Sequence, residues 1–88
     1  MKCKVLSIDA WRDADGWFWN AWYSTNGEIE IDEKETNRSI LRKMREGGWL
    51  TEFSKGKVTI EDDQYNLVVL NKSTQQPLFA IEYGSNFT

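Results

Sequence analysis

The 88-residue chain has no histidine, one cysteine and one proline. Without histidine it lacks the side chain that most often moves protons near neutral pH, and the usual zinc ligand. A lone Cys3 cannot close an internal disulfide, and small secreted domains usually need several, so a reducing cytoplasm is expected. Apolar runs extend only a few residues, and Met1 to Lys4 leads into an alternating stretch that contains Asp9. Neither a secretory leader nor a membrane span is expected. There is no glycine-rich phosphate loop either. Gly47-Gly48 follows the predicted helix, so it offers no helix N-terminus to a phosphate.

Aromatic residues, by contrast, are concentrated. Trp11, Trp17, Phe18, Trp19, Trp22 and Tyr23 fall within thirteen residues, and four of the five tryptophans are among them. In an extended 16–24 segment, Trp17, Trp19, Ala21 and Tyr23 share one face, while Phe18, Asn20 and Trp22 share the other. A small sheet with one buried face needs aromatics on one side only. Either both faces are covered, or one presents rings to a partner. A thin core is the simpler use, because a chain this short buries only about 60% of its unfolded surface and each ring supplies about 150–250 Å². The functional use is a protein-docking surface, because Trp and Tyr often anchor interfaces. Aromatic strands also stack single-stranded bases, but the flanks here, Asp13 and Asp15, are acidic.

The length fits one domain, expected over residues 1–84 with a frayed tail at 85–88. Lys2 to Arg12 reads as a strand, with Leu6 and Ile8 toward the core. Asp13-Ala14-Asp15-Gly16 reads as a hairpin turn into a second strand over 17–25. Asn26-Gly27 signals another turn. Glu28 to Asp32 alternates as a short strand, or as an extension of the second past a bulge. Residues 33–48 read as the one helix, with a cap at Thr36 or Asn37, an apolar stripe at Ile40, Leu41 and Met44, and a stop at Gly47-Gly48. Strands follow at 58–61, 65–70 and 78–83, with Asp62-Asp63-Gln64 as a turn and Pro77 at a strand start. The fold expected is α+β: an antiparallel sheet of about five strands in the order β-β-α-β-β-β, with the helix on one face and the other face bare.

Candidate chemistry is sparse. Asp13-Ala14-Asp15-Gly16 resembles the start of a calcium loop, but the pattern would put Trp11 and Trp22 at ligand positions, so no metal is expected. Cys3 has no nearby base and reads as a small apolar residue. Glu61, Asp62 and Asp63 read as a solvated turn in place of a catalytic pair, and 88 residues leave little room for a cleft. No cofactor is expected and the chain reads as a non-enzyme.

Charge is uneven. Residues 34–57 carry seven Lys/Arg against three Asp/Glu, whereas residues 1–33 carry three against seven and residues 58–88 carry one against four. Arg38, Arg42 and Arg45 are spaced four and three apart, which puts them on one helix face, with Lys34 and Lys43 near and Lys55 and Lys57 following. This is an ordinary solvated face or an anion grip for phosphates or a carboxylate-rich protein. A net charge of −3 and pI near 4.9 disfavour dedicated duplex binding. Weak nucleic-acid binding and a homodimer remain as alternatives to a protein partner.

The stretches Asp9-Ala10-Trp11-Arg12-Asp13-Ala14-Asp15-Gly16-Trp17, Leu-Arg-Lys-Met-Arg-Glu-Gly-Gly at 41–48 and Pro-Leu-Phe-Ala-Ile-Glu-Tyr at 77–83 together resemble small proteins encoded by tailed phages and prophages. The resemblance covers most of the chain and contains no motif of known chemistry. It implies a bacterial host cytoplasm. Short acidic phage proteins often bind and block a host protein, anti-CRISPR proteins among them, so the resemblance implies a host protein as partner.

Overall fold

Alternating apolar side chains build a five-stranded antiparallel sheet from β1 (Lys2–Ser7), β4 (Ser24–Glu30), β5 (Val58–Asp63), β6 (Asn66–Asn71) and β7 (Pro77–Glu82), in the spatial order β4-β1-β7-β6-β5. A separate two-stranded ribbon, β2 (Ala10–Asp13) and β3 (Gly16–Trp19), lies between β1 and β4 in sequence. The helix α1 (Asn37–Glu46) and a short 3-10 turn (Glu52–Ser54) connect β4 to β5. The computed structural model describes residues 1–8, 10–19, 24–63 and 66–82, with the backbone alone at 10–13, 16–19 and 24. The expected tail at 85–88 lies outside the described residues.

Cross-strand register sorts the side chains into two faces. Val5, Ile81 and Leu67 stand directly opposite one another, as do Phe79, Val69 and Ile60, and Cys3 pairs with Ile29. These form the core with Ile40 and Met44 of α1. The opposite face carries Leu6, Ala80 and Val68 in one row, with Leu70 beside them. All four are almost fully buried. The face away from the helix is therefore covered over this row, where the sequence suggested a bare one. Leu6 is buried, but on this second face, and the helix-side core takes Cys3 and Val5 instead. Strand β1 also ends at Ser7, so Ile8 lies beyond it and the single strand expected over 2–12 is two.

Two further departures concern residues read as turns. Asn26-Gly27 does not turn the chain. Both residues stand opposite Val5 alone, because Lys4 pairs with Glu28 and Leu6 with Thr25, which is a bulge inside β4. Gly27 has φ +119°, and the Trp49 ring lies 3.2 Å from where a Cβ would sit. Trp49 Nε1 donates to the Asn26 carbonyl at 3.0 Å. Asp62 and Asp63 end β5 opposite Leu67 and Asn66 instead of forming a turn. Gln64 and Tyr65 lie outside the described residues.

The helix starts and stops on side-chain chemistry. Thr36 Oγ1 accepts from Ser39 N–H at 3.2 Å, the N-cap bond. Gly48 takes φ +88°, and the N–H groups of Trp49 and Leu50 return to the Met44 carbonyl, bringing Leu50 into the core. Ahead of the cap, Glu35 accepts from the backbone N–H of Asp32 at 3.0 Å, from Ser39 Oγ at 2.7 Å and from Lys43 Nζ at 2.9 Å. Lys43 also donates to the Glu30 carbonyl at 2.7 Å, tying α1 to the end of β4. The Glu35 side chain is only 6% exposed.

Met44 is fully buried, so Met44→Ala should cost about 2–5 kcal/mol in chemical denaturation, through lost burial and the cavity left behind. The hydrogen bond from Lys43, then that from Ser39, holds the Glu35 carboxyl at about 2, below its ordinary 4.5. A depressed carboxylate stabilises the fold fully above its unfolded value, and that contribution is lost as pH falls through the folded value. Denaturant midpoints of the wild type should therefore fall from about pH 4.5 toward about pH 2 more steeply than those of Glu35→Gln. Parallel curves would show that Glu35 makes no such contribution.

Candidate anion-binding groove

Three of the five residues expected to bind anions lie on α1. Ile40 and Met44 face the sheet and Leu41 is half-buried at the flank, so the spacing of 38, 42 and 45 leaves the arginines on the outward side. Arg38 and Arg42 are exposed, and Arg45 is half-buried. The chain then turns at Gly47-Gly48, passes through Glu52–Ser54 and turns again at Gly56, where φ is +73°. Lys57 N–H donates to the Ser54 carbonyl at 2.9 Å, and the Lys57 carbonyl accepts from Lys72 N–H at 2.9 Å. These bonds fix the entry to β5 and set Lys55 beside the helix.

The result is a groove of 670 Å³ with Arg38, Arg42 and Arg45 along one side, Leu41 and Val58 among its lining, and Lys55, Glu46 and Glu52 closing the rest. Four cations against two carboxylates leave its wall at +2, within a chain of net charge −3. Lys55 Nζ and Glu52 are paired at 2.8 Å, and that bond, the Lys55 charge and Arg45 hold the Glu52 carboxyl below its ordinary range. Among the described residues, no ion pair within 4.0 Å engages Arg38, Arg42 or Arg45. Arg42 makes one long contact, 3.4 Å to Ser39 Oγ. The groove thus combines guanidinium groups that have unused donors with the apolar side chains of Leu41 and Val58, an arrangement suited to carboxylates or phosphates.

Sequence reasoning located the arginine stripe and Lys55 but not the whole site. Lys57 does not line the groove. Lys43, placed near the stripe by sequence, is instead consumed by Glu35 and Glu30. Leu41 was read only as part of the helix's apolar stripe, and Val58, the carboxylates of Glu46 and Glu52, and Phe53, which is 83% exposed beside Glu52, were not read as part of a site. The signal for Phe53 was present: an aromatic residue in a short polar connection has no periodic partner to bury it.

The aromatic candidates are described in part. The ribbon's register sets Trp11 opposite Phe18, Arg12 opposite Trp17 and Ala10 opposite Trp19, around the two-residue turn Ala14-Asp15. The side chains of Trp11, Trp17, Phe18 and Trp19 lie outside the described residues, as do Trp22 and Tyr23 altogether.

A second cavity of 280 Å³ is lined by Cys3, Ile40, Glu35 and Asp62 among others. Its chemistry is already used, because Glu35 is satisfied and burial pushes the Cys3 thiol up from its ordinary value. Among the described residues, no cluster of His, Cys, Asp and Glu side chains is arranged to hold a metal ion. Asp62 and Asp63, as strand neighbours, point to opposite faces and do not form a carboxylate pair. No described helix is long and apolar enough to cross a membrane. No family model, curated protein or solved structure matches this chain.

Because the arginines contribute no ion pair to the described fold, Arg38→Ala and Arg42→Ala should each change stability by no more than about 0.5 kcal/mol in thermal or denaturant unfolding. A larger loss would make the stripe structural.

Proposed function

We propose that this chain is a non-enzymatic binding protein that engages an acidic segment of a protein partner through the arginine groove. The observation that carries the reading is the convergence of Arg38, Arg42, Arg45 and Lys55 on one groove, with the three guanidinium groups unpaired among the described residues. A solvated charge run needs no apolar lining. This one includes apolar Leu41 and Val58 in its lining, and exposed Phe53 follows Glu52 in the chain, a combination of apolar residue and arginine found where interfaces concentrate their energy.

A protein partner fits better than nucleic acid. Glu46 and Glu52 sit in the same wall and repel a continuous phosphate backbone, and the chain as a whole is acidic. A peptide places its carboxylates singly and can keep them clear of those two positions. The absence of histidine and the buried, proton-holding thiol of Cys3 favour binding over catalysis. The phage-like resemblance directs the search for the partner toward bacterial host proteins, where blocking a defence protein is one role such a surface serves. The aromatic ribbon is a further surface for that same partner.

The expected outcome is saturable binding of a fluorescent Glu/Asp-rich peptide, read by anisotropy, that weakens as salt rises from about 0.05 M to about 0.3 M. The triple variant Arg38→Ala, Arg42→Ala, Arg45→Ala should lose about tenfold or more in affinity while remaining folded by circular dichroism. Undiminished binding by the folded triple variant rejects the groove. Tighter binding to a single-stranded oligonucleotide than to any acidic peptide rejects the protein-partner reading.

A further inference from the structure

We propose that the arginine groove takes a single anionic side chain at its Arg38–Arg42 end, with an apolar side chain beside it, and that Glu52 is the residue that sets this limit. The inference rests on the groove as the binding site and specifies the segment it accepts.

The charges of the groove are unevenly placed. Arg38 and Arg42 stand one turn apart, about 6 Å along the helix axis at about 1.5 Å per residue. Both are exposed, and neither joins an ion pair among the described residues. Glu46 lies farther along, about 12 Å from Arg38 on the same axis. Glu52 follows the helix and holds Lys55 at 2.8 Å. Of the three arginines, Arg45 alone acts on the Glu52 carboxyl, and with Lys55 it keeps that group below its ordinary range. Arg45 is also half-buried. Toward the C-terminal end of the helix, then, Arg45 and Lys55 are balanced by Glu46 and Glu52. The excess of +2 belongs to Arg38 and Arg42.

An incoming carboxylate gains different things at the two ends. Beside Arg38 and Arg42 it meets guanidinium donors that otherwise face water, in the forked geometry that suits a carboxylate. At Lys55 it has to displace Glu52. One ion pair is then exchanged for another, and Glu52 is left unpaired beside the new negative charge. The side chains of this pair are 62% and 74% exposed, so the exchange gains little and the repulsion remains. The apolar lining marks what sits next to the anion. Leu41 follows Arg38 by three residues and precedes Arg45 by four, so it neighbours both on the helix surface. Val58 joins it in the lining. A segment with one acidic residue and an apolar neighbour meets both features. A segment with several contiguous carboxylates seats one and brings the others toward Glu46 and Glu52.

The test compares two octapeptides of glycine and serine by NMR titration. One carries a Glu-Leu pair, and the other carries three contiguous Glu before the same Leu. The wild type should bind the two within about threefold of each other, because one carboxylate is used. Arg38→Gln should weaken the Glu-Leu peptide about fivefold or more, a greater loss than Lys55→Ala causes. Glu52→Gln should raise the preference for the three-Glu peptide over the Glu-Leu peptide about fivefold. Lys55→Ala should then weaken the three-Glu peptide more in the Glu52→Gln background than in the wild type, a coupling expected only where Glu52 holds Lys55. Glu52 and Lys55 are exposed, so these variants should remain folded by circular dichroism. If Glu52→Gln leaves the preference unchanged, Glu52 sets no limit and the proposal is wrong. A wild type that prefers the three-Glu peptide about tenfold or more also overturns it, because the whole groove then takes anions. The groove reading survives either result. If no acidic peptide binds the wild type, the groove reading fails and this proposal with it.

Discussion

The seating of α1 on the sheet, through Ile40 and Met44, is the constraint from which the rest follows. A ten-residue helix is too short to persist alone in water, so its existence depends on that contact. Once two residues of the apolar stripe face the sheet, the rotation of the helix is fixed to within a fraction of a turn. That rotation decides the fate of every other residue on it. Lys43, in the last turn, is brought to Glu35 and the Glu30 carbonyl, where it ties the helix to the end of β4. Arg38, Arg42 and Arg45 are turned out toward β5 and Lys55. Neighbours in sequence, Arg42 and Lys43 differ by about 100° around the axis, and this alone separates a side chain that holds the fold from one free to hold a ligand.

The sheet itself is packed on both sides. The row Leu6, Ala80, Val68, with Leu70 beside it, is as dry as the row beneath the helix. A small domain has difficulty covering two sheet faces, since it has little chain to spare and much of its surface stays wet. The candidate site rests on the groove, whose side chains are described and whose three arginines make no ion pair among the described residues.

Much of the framework was legible because it is written in short-range rules. Thr36 caps, Gly48 takes the left-handed conformation, Leu50 folds back, and Pro77 opens a strand, each for a reason confined to a few neighbouring residues. The α+β class with a five-stranded antiparallel sheet follows the expectation, but the order differs: the second strand expected over 17–25 gives way to the separate ribbon β2-β3, and β4 joins the sheet instead. The misreadings fall where a distant residue decides. Asn26-Gly27 is the usual sequence of a tight turn, yet the same positive φ serves a bulge once the Trp49 ring and its N–H arrive from the far end of the helix. Asp62 and Asp63 look like turn residues, but an edge strand with water on one side accommodates them. The arginine stripe was visible as a period. The groove was not, because Val58 and Lys55 join it only after the chain has doubled back through Gly56.

A basic groove on an acidic chain has a consequence for selectivity. At physiological salt the Debye length is about 8 Å, so the net charge of −3 acts weakly at a distance and the local +2 governs contact. An anionic partner is not drawn from afar as it is by a uniformly basic protein. It must present its charge within reach of the guanidinium groups and keep the rest of its surface compatible with Glu46, Glu52 and the acidic end of β5. If the groove takes an anion as proposed, Glu46 and Glu52 in its lining would repel a polyanion of uniform charge more than a short segment with spaced carboxylates.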